Sequence, residues 1–127
     1  MRNHREEYMS RKIKYDYDCS NDSLFLYGKD RYDYDFSEEL DNGIIIDFDK
    51  NQNPVAFEIF NASKKFKINK NVFNVLSSIK VKITITEKAI DLSIILFFKE
   101  HNKPMETTIN YIMDNFDCLP EIEGVFI

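Results

Sequence analysis

Ile79-Lys80-Val81-Lys82-Ile83-Thr84-Ile85-Thr86, followed after Glu87-Lys88-Ala89 by Ile90-Asp91-Leu92-Ser93-Ile94-Ile95-Leu96-Phe97-Phe98, is the stretch whose periodicity decides the fold. Apolar and polar residues alternate through most of it, the spacing of a strand with one buried face and not of a helix. Glu87-Lys88 reads as a tight turn between two strands. His101-Asn102-Lys103-Pro104 turns the chain again, and Met105, Thr107, Ile109, Tyr111 and Met113 form a third long strand. Ile95 and Phe97 lie on the face opposite Ile94, Leu96 and Phe98, so that strand end calls for cover on both sides. The tail, Ile122-Glu123-Gly124-Val125-Phe126-Ile127, is apolar enough to dock on its own sheet or on a neighbour. Ile95, Phe97 and Phe126 are therefore the expected interaction residues.

Upstream, the same period recurs in shorter runs. Ile13, Tyr15 and Tyr17 alternate with Lys14, Asp16 and Asp18; Leu24 to Tyr27 follow a Cys19-Ser20-Asn21-Asp22 turn; Tyr32, Tyr34 and Phe36 alternate with Asp33, Asp35 and Ser37. Asn42-Gly43 has the chemistry of a two-residue hairpin turn, since both positions tolerate positive φ. Ile44 to Phe48 and Val55 to Phe60 complete five short strands around a Lys50-Asn51-Gln52-Asn53 turn. Val72, Phe73, Val75 and Leu76 have helical spacing with Asn69 as a cap, so one short helix is expected near residues 70–77. The expected fold is mainly β: antiparallel meander sheets of about eight strands. Its parts are a disordered stretch 1–11, a meander over 12–66, and a helix with a three-stranded meander and apolar tail over 67–127, forming one compact unit. Met9 stands as a candidate start within the first of these.

The composition fits this class. Of 127 residues 43% are hydrophobic, enough for a core, and Phe and Tyr (11 and 7) supply much of it. The net charge of −5 is unevenly laid out: residues 13–63 carry twelve acids against four bases, and residues 64–103 nine bases against three acids. Cys19 and Cys118 are the only cysteines and have no metal or redox spacing, so they read as reduced thiols. The charged start Arg2-Asn3-His4-Arg5-Glu6-Glu7 has no apolar signal region, and Ile94–Phe98 is too short to span a bilayer. The expected compartment is the cytoplasm, with no membrane partner.

Tyr15-Asp16, then Asp22 and Leu24, then Glu38-Glu39 through Asn42-Gly43-Ile44, Asp47-Phe48-Asp49 and Phe57-Glu58-Ile59-Phe60-Asn61-Ala62-Ser63 follow one another in a specific order. On these residues the segment 13–66 resembles the family catalogued as domain of unknown function 2283. The resemblance implies a small β fold and no defined chemistry, with antitoxin-like partner roles suggested for some members. Residues 67–127 carry no such resemblance.

The sharpest candidate for chemistry is Asp47-Phe48-Asp49-Lys50-Asn51-Gln52-Asn53 with Glu58, where oxygen side chains fall at the spacing of a calcium loop. Asp47, Asp49, Asn51 and Glu58 are the candidate ligands. Gln52 stands where the sharp turn wants Gly, Lys50 adds positive charge and the flanks are strands, so an Asp/Asn-rich hairpin turn is the competing account. Asp16, Asp18, Asp33, Asp35, Glu38, Glu39 and Asp41 form an acidic ladder, either a solvated sheet face or a surface for a basic protein partner. Lys64, Lys65, Lys67 and Lys70 form a basic island with no nucleic-acid motif around it, so no nucleic-acid partner is expected. Neither histidine, His4 or His101, has a partner at catalytic spacing, and no nucleophile or phosphate loop occurs. The reading is a non-enzymatic, homo-oligomeric interaction protein without a cofactor. An antitoxin-like protein binding a basic partner, and a cation-binding module at Asp47–Glu58, are the alternatives.

Overall fold

The structure, a computed structural model, describes residues 7–28, 31–40 and 43–127. Among them ten strands run in order: β1 (Glu7–Arg11), β2 (Lys14–Asp18), β3 (Ser23–Tyr27), β4 (Tyr34–Leu40), β5 (Ile44–Asp49), β6 (Pro54–Phe60), β7 (Ser78–Ile85), β8 (Ala89–Glu100), β9 (Lys103–Asp114) and β10 (Ile122–Phe126). A helix α1 (Ala62–Phe66) and a 3-10 segment (Lys70–Val75) lie between β6 and β7. No helix among the described residues is long and apolar enough to cross a membrane.

The strands make two five-stranded sheets, β1-β10-β7-β8-β9 and β2-β3-β6-β5-β4, in which every pairing is antiparallel except the parallel β1–β10. In β7 and β8 the alternation read from sequence becomes alternation of burial: Val81, Ile83, Leu92, Ile94 and Leu96 face inward. Leu24, Leu26, Ile44, Ile46, Phe57 and Ile59 do the same in the other sheet, and both sets join in one core. At about 1.5–3 kcal/mol for each fully buried large aliphatic or aromatic side chain, this shared core is the main favourable term.

Three expectations are corrected. The first five strands are not a simple meander, because β3 pairs with β6 and not with β4, giving a Greek-key order. A meander would have placed β4, with Asp35, Glu38 and Glu39, in the middle and the buried Pro54–Phe60 at an edge. The observed order puts apolar strands inside and charged ones outside. Second, Glu7–Arg11, expected to be disordered, pairs in parallel with β10; residues 1–6 lie outside the described residues. Third, the helix near 70–77 is a 3-10 segment, Asn69 makes no side-chain cap, and the α-helix lies earlier, at Ala62–Phe66. Tyr32, Tyr34 and Phe36 also fail to share a face. A register shift between Tyr34 and Phe36 leaves Tyr34 exposed, while Phe36 stacks on Phe48 at 5.0 Å. Asn42 of the expected hairpin turn lies outside the described residues, and Gly43 beside it has φ 77°, a conformation that favours glycine.

α1 is held by a residue far from it in sequence. Asn61, at its N-terminal boundary, makes no side-chain cap. Instead Asp22, in the β2–β3 turn, accepts from the Ser63 amide at 3.0 Å and the Ser63 hydroxyl at 2.8 Å, and its backbone carbonyl accepts from the Ala62 amide at 2.9 Å. The Tyr17 hydroxyl donates to the same carboxylate at 2.6 Å. The Tyr17 ring stacks on Phe73 at 4.2 Å, and Phe73 meets Phe66 of α1 edge-on. Burial pushes the Asp22 carboxyl up, but the hydrogen bonds from Tyr17 and Ser63 and the charge of Lys70 outweigh it and hold it below its usual range. Burial and the Asp22 carboxylate push the Tyr17 phenol well above its usual value. Asp22→Ala removes several charge-assisted bonds and takes the acceptor from the part-buried Tyr17 and Ser63 hydroxyls and the Ser63 amide. It should cost about 3 kcal/mol, roughly 10 °C in melting temperature, read by thermal unfolding. A loss no larger than that of a surface substitution would show that the cap is incidental.

Candidate functional site

The sequence-read candidates fall at separate places. Asp47 and Asp49 of β5 and Glu58 of β6 share the outer face of the second sheet, where register places Ile45 opposite Glu58 and Asp47 opposite Ala56. Asp47 accepts from the Ser37 hydroxyl at 2.7 Å and the Tyr32 hydroxyl at 2.9 Å, and burial with that contact pushes the Tyr32 phenol up to about 12. Asp49 Oδ1 accepts from the amides of Asn51 and Asn53 at 2.9 and 3.0 Å, an Asx turn closing the loop. Glu58 receives a long bond, 3.4 Å, from Ser23. Among the described residues no three His, Cys, Asp or Glu side chains gather as a metal cluster would. Asp47, Asp49, Asn51 and Glu58 are therefore occupied in local hydrogen bonding or spread along the sheet.

The acidic ladder is partly one surface. Asp16 and Asp18 of β2 and Glu39 of β4 are exposed on the same outer face as Asp47, Asp49 and Glu58, by alternation and register. Asp33 and Asp35 are exposed beside it, and Asp41 lies outside the described residues. Glu38 departs from the ladder. It stands opposite Ile46 on the inward side of β4, where the carboxyl of Asp117, in the loop after β9, is near enough to act on it. Burial, then Asp117, pushes the Glu38 carboxyl up to about 7. The loop is fixed by Asn115, whose amide nitrogen donates to the carbonyls of Thr86 (2.9 Å) and Leu119 (3.0 Å) and whose oxygen accepts from the Leu119 amide (2.9 Å).

The basic island lines clefts around α1. Lys64 and Lys65 join Gly43, Asn61 and Tyr111 around an open cleft of about 500 Å³, and Lys67 borders a second with Ile68, Val72 and Phe98. Lys65 Nζ donates to the Phe60 carbonyl, and burial lowers its pKa. Lys70 donates to the Cys19 carbonyl. Cys19 and Cys118 are free and exposed.

Of the expected interaction residues, Phe126 is corrected: it is fully buried and packs edge-on against Phe57 at 5.2 Å, with its ring 3.3 Å from where a Cβ on Gly28 would stand. Its own chain uses the surface it was expected to offer. Ile95 and Phe97 are half-buried on the outer face of β8, with Lys80 and Ser78 opposite them on β7 and Thr108 and Glu106 on β9. The apolar exposure lies further along: Ile112 on β9 is 64% exposed and Phe116 after it 75%. Sequence alternation placed Ile112 on the polar face of its strand, which was the available signal. β9 is itself an edge of its sheet, paired over Lys103–Asp114 with β8 alone and without a register shift.

The sequence model of the family described as "Protein of unknown function (DUF2283)" matches residues 12–63, ending on the serine that Asp22 holds. A putative hypoxanthine phosphoribosyltransferase of Methanosarcina mazei is 33% identical over 107 residues, 84% of this chain and 85% of that protein. The chain belongs to the DUF2283 family. An uncharacterized protein of Methanocaldococcus jannaschii is 38% identical over 93 residues, 72% of this chain and 78% of that protein. Both alignments are longer than the family segment, so likeness in this DUF2283 protein extends beyond residues 12–63. No solved structure matches it.

Because Glu38 in the fold holds its proton up to about 7, against an ordinary 4.5, the folded state binds a proton that the unfolded chain has lost between those values. Stability therefore falls as pH rises through that window. Glu38→Gln should flatten this fall, so thermal melts of the wild type and variant should diverge in the variant's favour from pH 5 to pH 8. Parallel curves would show that the fold does not raise the Glu38 carboxyl.

Proposed function

We propose that this protein is a non-enzymatic protein-interaction module that self-associates, with β9 and its flank as the contact region. The observation that carries the reading is the outer edge of β9, twelve residues long, paired in the sheet with β8 alone, touched by α1 where Thr107 donates to the Phe66 carbonyl, and ending beside the exposed Ile112 and Phe116. A strand edge presents a row of backbone donors and acceptors that pair readily with another chain, and natural sheets blunt such edges. Ile95 and Phe97 lie behind this edge on the same face and add apolar area. Cytoplasmic residence is part of the proposal, supported by two free, exposed thiols.

The name of the Methanosarcina relative raises a transferase reading. The engagement of Asp47 by Tyr32 and Ser37, and of Asp49 by loop amides, supports a structural role for the acids instead. The outer acidic face, drawing on Asp16, Asp18, Glu39, Asp47, Asp49 and Glu58, favours a second reading in which a basic protein partner docks there in an antitoxin-like manner. Light scattering on the purified chain tests the main reading. A mass of twice the monomer or more is expected, and a strict monomer at the highest soluble concentration would refute it.

A further inference from the structure

Resting on the self-association just proposed, we infer that the partner is a second copy bound edge to edge, β9 antiparallel to β9, joining two five-stranded sheets into one continuous sheet across a two-fold axis.

The argument starts from the four edges of the sandwich. β2 is five residues long and carries Lys14, Asp16 and Asp18. β4 is broken by a register shift near Tyr34 and carries Asp35, Glu38 and Glu39. β1 is five residues long. Shortness, charge and irregularity are the devices by which sheets prevent pairing. β9 has none of them through its middle: Thr107-Thr108-Ile109-Asn110-Tyr111-Ile112-Met113 holds no charge, no proline and no register shift. Among the described residues, the strand that offers a free edge of equal length to complement β9 is β9 itself, and an interface of one patch with itself closes as a two-fold dimer.

The alternation of β9 restricts the register. Thr108, Asn110, Ile112 and Asp114 face outward while Ile109, Tyr111 and Met113 face inward. In a continuous antiparallel sheet, opposite residues share a face, so a two-fold axis passes through a residue position and not between two. Centring on Asn110 would set Glu106 against Asp114, like charge on like charge, which disfavours it. Centring on Thr108 or Ile109 avoids that clash, bringing Thr108 opposite itself or opposite Asn110.

The test uses the whole chain. Thr108→Lys with Asn110→Lys places cations across the axis at exposed positions outside the core. This pair should weaken the dimer by about tenfold or more; because the Asn110 amide also donates to Asp91, Ser93 and the Leu92 carbonyl on β8, retention of the monomer fold is checked alongside by circular dichroism. In a background of Cys19→Ser and Cys118→Ser, Thr108→Cys should cross-link to its twin under mild oxidation, whereas Glu123→Cys, three strands away on β10, should not. A wild type that is monomeric overturns both this inference and the reading beneath it. A wild type that is dimeric, with a double-lysine variant that stays dimeric and no cross-link at Thr108, overturns the edge-to-edge inference alone.

Discussion

The Asp22 carboxylate is the contact on which the arrangement of the chain depends. A buried charge is tolerated only when its acceptors are filled, and here they are filled by groups from distant parts of the sequence. Tyr17 comes from β2, the amide and hydroxyl of Ser63 from α1, and the charge of Lys70 from the start of the 3-10 segment. The contacts form a circuit: Asp22 to Ser63, along α1 to Phe66, across to Phe73, onto Tyr17 and back to Asp22. Three residues around it, Asp22, Asn61 and Lys67, take left-handed backbone conformations at φ 51, 55 and 60°. For residues other than glycine these cost roughly 1 kcal/mol or more each, least for Asp and Asn, so the circuit must over-determine them.

The circuit also joins residues that lie far apart along the chain. Tyr15-Asp16, Asp22 and Asn61-Ala62-Ser63 look like unrelated fragments along the chain, yet Asp22 and Ser63 are hydrogen-bonded across 41 positions. The segment is a five-stranded sheet together with the latch that fastens its first hairpin to the helix beyond its last strand. The other sheet supplies the second wall of the core, with Phe57 and Phe126 meeting across it.

Much of the β architecture was legible in the sequence because period-two burial leaves a direct trace. β7, β8 and β9 stand close to where alternation placed them, and the five short strands were recognised. Strand order was less legible, since pairing depends on which strands most need burial, a comparison across the whole sheet. The helices were misread because α1 is only five residues long and takes its cap from Asp22, not from a neighbour. In the candidate site, Glu38 looked like one more rung of an acidic ladder, yet it alternates inward with Phe36 and Leu40, so its charge class masked the face that the period assigns it. Phe126 was recognised as apolar enough to dock, but its destination was set by the gap beside Gly28 and Phe57.

The pairing of β1 with β10 has a consequence for how the chain comes into being. Glu7 stands beside Ile122, and β10 lies between β1 and β7, so β1 waits for a strand made more than a hundred residues later. A nascent chain that has emitted everything through β9 has no neighbour for β1, and β7 has a bare flank. Contacts of such large sequence separation close slowly, and unpaired strands exposed in the interval attract one another between chains. The β2-β3-β6-β5-β4 sheet can latch early through Asp22 and Ser63, while the other stays incomplete until Ile122–Phe126 leave the ribosome. This protein therefore has a stretch of its synthesis during which one half is fastened and the other is open.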